Sequence, residues 1–219
     1  VVDLTDDEVY RYPLYTLLQG TLTGSSTLGN VVVSGPARLT TTASTTDLTI
    51  GSGGVLQLGA AAASTTELDI AGDLTHSGLF LANQGEVTFS GTTHQTATGT
   101  MTGSSAFYNL TITNTSGNGT TSRSVTFGAS ASSTGTFTMA ASTSVEFLAG
   151  ATTTLTDLAL NGTAVAPVWI YSSATGSEHY LVASGEVFIE YGYVRDSNAC
   201  GSLGGELVSA YGTDVGNNT

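Results

Sequence analysis

The 219-residue chain has no lysine and only four arginines, against 17 aspartates and glutamates, so its formal net charge is -13. Binding to a nucleic-acid backbone depends on clustered cations that release counterions. Four scattered arginines do not supply such a cluster, which excludes nucleic acid as a partner and disfavours a bare anionic membrane surface. The absence of lysine also excludes covalent crosslinks between lysine and asparagine side chains.

Cysteine and long apolar runs are scarce as well. Cys200 is the single cysteine, so no intrachain disulfide forms. Its side chain is either a small buried apolar group or a thiol that pairs with another chain. No stretch reaches the roughly 20 apolar residues of a membrane span. The sequence begins at Val1 with neither an initiator methionine nor a leader, which predicts a mature extracellular form after leader removal.

Short alternating segments run along most of the chain. In each, β-branched, aliphatic or aromatic residues alternate with polar ones, and small residues separate one segment from the next. No window shows a sustained helical period. The segments are 31–33, 48–50, 55–58, 68–70, 79–81, 87–89, 110–112, 125–127, 137–139, 145–147, 158–160 and 187–189. Their spacing of about 8 to 12 residues is typical of an all-β chain, either a β-sandwich or a β-solenoid.

One eight-residue phrase occurs twice. Ala43-Ser-Thr-Thr-Asp-Leu-Thr-Ile50 returns twenty positions later as Ala63-Ser-Thr-Thr-Glu-Leu-Asp-Ile70, and looser echoes of its second half begin at Asn109 and Asp157. Stacked turns place equivalent residues above one another, whereas a sandwich has no reason to repeat one strand. The repeat therefore predicts a parallel β-solenoid (a β-helix) with short coils of about 20 residues, and a β-sandwich is the alternative. It also makes Glu67 the equivalent of Asp47.

The two ends of the chain differ from its middle. Residues 1–19 begin with a cluster of acids and continue as an aromatic and aliphatic run that contains Pro13. Proline permits an edge strand or an extended arm but not a central strand. Residues 196–219 are rich in Gly and Asn. We predict an N-terminal arm or cap over 1–19, solenoid coils over 20–195 and a C-terminal end segment over 196–219.

The end segment resembles a known group of proteins. Tyr193-Val-Arg-Asp-Ser-Asn-Ala199 and Ala210-Tyr-Gly-Thr-Asp-Val-Gly-Asn-Asn-Thr219 are similar to the closing segment of secreted bacterial Gly/Thr-rich β-helix repeat proteins. The stretches 85–91 and 107–113 resemble the same group and also autotransporter and haemagglutinin-like passengers. The resemblance covers most of residues 21–219 and implies a surface protein built of β-helix coils. Cys200 and residues 1–19 depart from the pattern.

Carboxylate pairs come nearest to a catalytic arrangement. Glu67 with Glu86, or Asp69 with Asp73, fit the acid pair of a polysaccharide hydrolase. The repeat, however, carries an acid at both 47 and 67, which favours solvated acids on successive turns over a unique site. We therefore expect no catalytic residue and a protein that is not an enzyme.

A bound cofactor or metal is not expected either. The histidines His76, His94 and His179 lie at no metal-ligand spacing. Oxygen ligands for calcium cluster near both ends, but the Gly-Gly-x-Gly-x-Asp repeat of calcium β-helices is absent. These clusters are Asp6-Asp7-Glu8 and the set of Asp196, Ser197, Asn198, Asp214, Asn217 and Asn218. The prediction is no cofactor and no metal, with calcium as the alternative.

Asparagines in Asn-x-Ser/Thr sequons are candidate glycosylation sites in a secreted protein. In a chain this rich in Asn and Thr, several such sequons arise by chance. The candidates are Asn109, Asn114, Asn118 and Asn161, with a fifth sequon at Asn217.

The N-terminal arm leads to the functional prediction. A solenoid has open ends that are either capped or used for polymerisation. Residues 1–19 either fold back as a cap or add to a neighbouring subunit by β-strand addition. The apolar residues available for that contact are Val9, Tyr10, Tyr12, Leu14, Tyr15 and Leu17.

Three functions remain open. The first is a noncatalytic extracellular structural protein, a self-assembling, pilus-like cell-surface filament subunit whose partner is itself. The second is a carbohydrate-binding or carbohydrate-cleaving β-helix of a surface enzyme or adhesin, with surface glycans as partners. The third is a passive stalk within a larger adhesin.

Overall fold

The computed structural model describes residues 10–11, 16–22, 26–60, 65–117, 122–199, 207–210 and 213–218. Over these residues the chain is almost entirely β, with one short 3-10 turn at Gly103–Ser105 and no α-helix. The strands are β1 (Tyr10–Arg11), β2 (Thr16–Leu22), β3 (Ser26–Thr27), β4 (Val31–Leu39), β5 (Ala43–Thr45), β6 (Leu48–Ile50), β7 (Val55–Leu58), β8 (Glu67–Ile70), β9 (Leu74–His76), β10 (Leu79–Leu81), β11 (Glu86–Phe89), β12 (Gln95–Gly99), β13 (Asn109–Ile112), β14 (Val125–Phe127), β15 (Ala131–Met139), β16 (Ser144–Phe147), β17 (Thr152–Asn161), β18 (Val168–Ser172), β19 (His179–Ala183), β20 (Val187–Glu190), β21 (Gly192–Arg195), β22 (Ser197–Asn198), β23 (Leu207–Ala210) and β24 (Thr213–Asp214).

The strands stack on three faces of a β-solenoid. Face 1 contains β2, β4, β6, β9, β12, β14, β16, β18, β21 and β24 in this order. Face 2 contains the second halves of β2 and β4 with β7 and β10, and, further along, the first halves of β15 and β17 with β19 and β22. Face 3 contains β3, β5, β8, β11, β13, the second halves of β15 and β17, β20 and β23.

Parallel pairing of successive turns distinguishes this fold from a sandwich. On face 1, seven turns separate β4 from β21. Every pairing between the described strands is parallel except β1 with β2. The predicted β-solenoid is confirmed, and the β-sandwich alternative is wrong, because sandwich sheets are built from antiparallel neighbours.

The two copies of the repeated phrase do not stack in register. Leu48 in β6 pairs with Leu74 on face 1, whereas Leu68 in β8 pairs with Ala43 on face 3. The acids that precede Leu48 and Leu68 therefore lie on different faces, and their expected equivalence is wrong. The phrase occurs where a strand begins, on face 1 in the first copy and on face 3 in the second. Its spacing of twenty residues is therefore not the length of one turn of the solenoid.

The turns also differ in length. Seventeen residues separate the stacked pair Val31 and Leu48, whereas 30 separate Gln95 and Val125. The strands are short and similar on every turn, so the difference lies in the corners between faces. The long connection from β13 to β14 accounts for the largest spacing.

The core fills the interior from the inward side of each strand. In β6, Leu48 and Ile50 are buried while Thr49 between them is half-exposed, and the same alternation recurs on the other strands. Phenylalanines fill the middle turns. Phe127 stacks on Phe147 with ring centroids 5.4 Å apart, and Phe89 meets Phe127 edge-on at 5.9 Å. Each turn buries its apolar residues against the next, which is how a chain with few charges stabilises an elongated fold.

Strand pairing crosses both boundaries of the predicted division into arm, coils and end segment. β2 begins at Thr16 and pairs in parallel with β4, so the first solenoid strand begins before residue 20. Beyond residue 195, β23 pairs with β20 and β24 pairs with β21. The three-part division stays a prediction, and strand pairs continue across both of its boundaries.

Candidate functional site

The N-terminal edge of face 1 is a hairpin between β1 and β2. Tyr10 pairs with Leu17 and Arg11 pairs with Thr16 in antiparallel register. β4 lies on the other side of β2. Two of the predicted arm residues, Tyr10 and Leu17, thus meet within one chain, and the other four, Val9, Tyr12, Leu14 and Tyr15, lie outside the described residues. Their contact with a neighbouring subunit stays a prediction.

Acids and amides at strand entries join successive turns. In three of the four places where the sequence repeats an acid or amide before Leu, the side-chain Oδ1 accepts a hydrogen bond from a backbone N–H one turn later. The links run from Asp73 to Asp47 at 2.9 Å, from Thr136 to Asn109 at 3.1 Å and from Glu186 to Asp157 at 2.8 Å. We call these the strand-entry links. They give the repeated acid a structural role on the surface.

Glycine precedes each donor of the strand-entry links. A Cβ at Gly185 would overlap Oδ1 of Asp157, and the same holds for Gly72 against Asp47. Only glycine lets the carboxylate approach the backbone this closely. Each strand-entry link therefore depends on two residues together, the glycine and the acid or amide that lies one turn before it.

Glu67 is the member of the repeat that makes no strand-entry link. It lies on the outward side of face 3, exposed, and pairs in register with Glu86 on the next turn. Asn109 follows in the same outward rank. Like charges directly opposite each other on neighbouring strands repel, and on this outward face water and salt screen that repulsion. The structure thus brings together the two glutamates that the sequence singled out, on an open strand surface.

Aromatic rings and arginines stack on the outside of face 1 near its C-terminal end. The rings of Trp169 and Tyr193, on neighbouring turns, lie 4.1 Å apart and 14° from parallel. Beside Trp169, the ring of Tyr171 has the Arg123 guanidinium 3.8 Å from its centroid and the Arg195 guanidinium at 4.8 Å. Two of the four arginines thus make cation–π contacts with the same tyrosine ring.

Carboxylates balance both guanidiniums. Nε of Arg123 lies 3.4 Å from Oε2 of Glu146, and Nε of Arg195 lies 3.2 Å from Oδ2 of Asp196. Burial raises the pKa of Tyr171, and the two arginines oppose that rise. We call this group the arginine–aromatic stack; its members are Arg123, Glu146, Tyr171, Arg195, Asp196 and the Trp169–Tyr193 pair. Its two guanidiniums and two carboxylates leave it without net charge on a strongly acidic chain.

A second polar group lies inside the solenoid, below the stack. Ser172, His179 and Asp196 are buried at the corner between faces 1 and 2. Burial lowers the pKa of His179 to about 4, while the carboxylates of Asp196 and Glu178 act in the opposite direction. The imidazole is therefore neutral at pH 7.

The sequons differ in accessibility. Asn161 is exposed at the end of β17, whereas Asn114 is buried and donates to the Thr93 carbonyl at 2.7 Å. A glycan needs a solvent-facing amide, so the folded chain favours Asn161 over Asn114 as an acceptor. Asn109 uses its Oδ1 in a strand-entry link, and Asn118 lies outside the described residues.

The predicted calcium ligands near the C-terminal end bond within the chain. Nδ2 of Asn217 donates to Oδ1 of Asp196 at 2.9 Å, and Oδ1 of Asn218 accepts from the Ser197 backbone N–H at 2.9 Å. In the part of the chain that the structure describes, no three His, Cys, Asp or Glu side chains are grouped so as to hold a metal ion. The Asp6-Asp7-Glu8 cluster and Cys200 lie outside that part, and the cofactor prediction stays open.

Compared with models of known protein families, with curated proteins and with solved structures, the chain matches none. The β-helix part of the stated resemblance agrees with the fold, and membership of a secreted family stays a prediction. The described residues also contain no helix that is long and apolar enough to cross a bilayer.

Sequence reasoning missed the arginine–aromatic stack and the buried histidine. Trp169 and Tyr171 alternate with Val168 and Ile170 in the sequence, a strand pattern with aromatic residues on one side that was not among the predicted segments. Arg123 comes from the long corner before β14, at a position that no periodicity relates to Tyr171. Nor does the sequence reveal that His179 points inward, because the strand before it ends at a corner of unpredicted length.

Proposed function

We propose that this protein is a noncatalytic extracellular structural protein, a subunit of a self-assembling cell-surface filament whose N-terminal arm joins neighbouring subunits by β-strand addition. The observation that carries the proposal is the β1–β2 hairpin. β1 occupies the outer edge of the first face 1 strand through only two residue pairs, Tyr10 with Leu17 and Arg11 with Thr16.

So short an antiparallel pairing is open to exchange between chains. Its hydrogen bonds are main-chain bonds, and the same segment of a second copy would make them equally well. Exchange of an identical element between protomers needs no new surface and little energy. In the proposed filament each copy passes its arm to a new copy, whereas reciprocal exchange between two copies would close a dimer.

The body of the molecule suits a fibre. The strand-entry links and the aromatic core connect each turn to the next, so stability accumulates along the axis. The outward strand positions carry many threonines, and the chain has no lysine for trypsin-like proteases. These features support an extracellular location and a structural role.

Deleting residues 1–11 tests the proposal, because this deletion removes β1 and leaves β2 intact. Sedimentation velocity and negative-stain microscopy of the full chain should show filaments or concentration-dependent oligomers, and the deleted chain should be monomeric. Val165→Ser, on an exposed turn far from the hairpin, is the matched control and should assemble normally. Assembly that is unchanged or enhanced after the deletion would mean that β1 is only a cap, and would overturn the proposal.

Glycan binding is a second candidate, favoured by the half-exposed Trp169–Tyr193 pair on face 1. Aromatic side chains of this kind often contact sugars, and the neutral stack would not repel an acidic polysaccharide. Co-sedimentation with insoluble polysaccharides should then depend on Trp169, with Tyr180→Ala, an exposed tyrosine on face 2, as the control. Equal binding by Trp169→Ala and the parent chain would exclude this site.

A further inference from the structure

His179 is the most unusual buried group of the described chain. Its side chain has no exposed surface, and neither ring nitrogen has a hydrogen-bond partner among the described residues. Its ring packs against Phe147, with centroids 5.0 Å apart. A buried polar group without a partner costs free energy, so this histidine is a weak point of the core.

The next turn lies directly below the histidine. His179 pairs in register with Ser197, and the backbone N–H of His179 donates to the carbonyl of Asp196 at 3.0 Å. Tyr171 pairs in register with Arg195, and Ser172 and Asp196 are the residues that follow them. Ser172 therefore lies above Asp196 at the same corner. The histidine therefore sits where β18 and β19 hold the following turn.

Asp196 is the residue that fastens this turn. Its Oδ1 accepts from the Gly176 backbone N–H at 3.1 Å and from Nδ2 of Asn217 at 2.9 Å. Its backbone N–H donates to the Gly216 carbonyl at 3.2 Å. The residue has a left-handed backbone with φ of 55°, a conformation that needs such contacts to persist. One buried carboxylate thus joins the corner before β19 to the segment 213–218.

We propose that His179 and Asp196 form an acid-sensitive latch, in which protonation of His179 releases β21, β22 and residues 213–218 from β18 and β19. A charged imidazolium at this fully buried position has lost its hydration and gains no hydrogen-bond partner, and opening of the last turn returns it to water. The charged groups near it are Asp196 below, Glu178 beside it in the chain, and Arg195, which pairs with Asp196. The two carboxylates do not offset the loss of hydration.

The direction of the pH effect follows from burial. In the closed latch the pKa of His179 is lowered to about 4, whereas a histidine in the opened segment has a pKa of about 6.5. Between about pH 6.5 and pH 4, His179 is protonated in the opened form and neutral in the closed form. The opening equilibrium constant should rise about tenfold per pH unit down to about pH 4 and then level off.

Native-state hydrogen exchange of the full chain tests the latch, because exchange detects openings that are rarely populated. After correction for the intrinsic pH dependence of exchange, protection of β21 and β22 should fall about tenfold per unit between about pH 6.5 and pH 4.5. At every pH in this range, the protection factors of β21 and β22 should be lower than those of β11 and β13, several turns away, because a local opening costs less free energy than global unfolding. Equal protection factors in all strands would mean that exchange occurs only by global unfolding and would overturn the latch.

Two substitutions assign the effect to the histidine. His179→Phe and His179→Gln both remove the titrating group, one filling the apolar site and the other keeping a polar side chain. In whichever of them folds, protection of β21 and β22 should no longer depend on pH in this range. His94→Gln, at the exposed histidine just before β12, is the control and should behave like the parent chain. A pH dependence that survives both His179 substitutions would assign it to Asp196 or Glu178 and would overturn the proposal.

Discussion

Nδ2 of Asn114 donates a hydrogen bond of 2.9 Å to Oε1 of Gln95, and neither side chain has any exposed surface. Gln95 also accepts from the Gly91 backbone N–H and donates to the carbonyls of Ile70 and Gly72. The two amides therefore connect the corners of three successive turns where face 3 passes into face 1. They hold the long connection between β13 and β14 against the body of the solenoid.

Replacing Asn114 with alanine should destabilise the protein by about 2–4 kcal/mol, because several buried polar groups lose partners at about 1–3 kcal/mol each. The carbonyls of Thr93 and Ser124 and the Ser116 backbone N–H are among those groups. Urea unfolding followed by circular dichroism measures the change. The exposed Asn161→Ala should cost less than about 0.5 kcal/mol. Equal losses for the two variants would contradict the role of the amide pair.

Gly185 and Asp157 should behave as a coupled pair. Gly185→Ala forces a Cβ into the carboxylate that accepts from Glu186, so we expect a loss of about 1–3 kcal/mol. In an Asp157→Ala background the same change should cost at least about 1 kcal/mol less, because the overlapping atom is gone. A double-mutant cycle by urea unfolding measures this coupling.

Gly128→Ala is the matched control for that cycle. Its Cβ would meet the methyl group of Thr98 at 3.1 Å and the Ala97 carbonyl oxygen at 3.7 Å, and no carboxylate. Its cost should add to that of Asp157→Ala within about 0.5 kcal/mol. If Gly185→Ala is equally additive, the strand-entry link does not depend on glycine.

The ring of Tyr171 should matter more than its hydroxyl group. Tyr171→Leu removes the aromatic face between Arg123 and Arg195 and should lower the free energy of unfolding by about 1–2 kcal/mol, since a cation–π contact contributes about 0.5–2 kcal/mol. Tyr171→Phe keeps both contacts and should lose less. Thermal unfolding of the two variants, beside Tyr180→Leu on the exposed side of β19, measures the difference. A phenylalanine variant as unstable as the leucine variant would show that the hydroxyl, and not the stack, stabilises this site.

Global stability should rise with pH between about pH 4 and pH 6.5. Burial lowers the pKa of both His76 and His179, so the unfolded chain binds protons in this range that the folded chain does not. For His179, whose pKa is about 4, the gain is about 3 kcal/mol at most.

Urea unfolding at pH 4.5 and pH 7 measures this pH dependence. The dependence should be smaller in His76→Leu, whereas His94→Gln should match the parent chain. A stability that is level from pH 4.5 to pH 7 would show that the two buried histidines do not oppose protonation.

Local pattern was sufficient to predict the strands of the central region. The alternation at 48–50, for example, placed Leu48 and Ile50 on one side and Thr49 on the other, as the structure has them. Such alternation depends only on the two-residue period of a strand and on burial of one face, both of which are local. The parallel solenoid was also predicted correctly, although the two copies of the phrase behind that prediction pair out of register and enter different faces.

Local sequence pattern did not predict which strands stack on each other. Asp47 and Glu67 look equivalent in sequence, yet one lies at the entry to face 1 and the other on face 3. A similar phrase arises wherever an acid precedes a buried Leu-x-Ile strand, and corners of variable length decide which face that strand joins. Corner length is not periodic, so a repeat of twenty residues did not reveal it.

By itself the sequence determined the class of fold, the inward residues of most strands and an acidic, lysine-free surface, because these depend on composition and on contacts between near neighbours. Only the tertiary structure decided which turns meet. It paired Asp157 with Glu186, placed Arg123 over Tyr171 and enclosed His179 above Asp196. These contacts join residues about 20 to 50 positions apart across stacked turns. Which residues meet depends on the length of every corner between them. Local hydrophobic pattern does not predict the length of a corner.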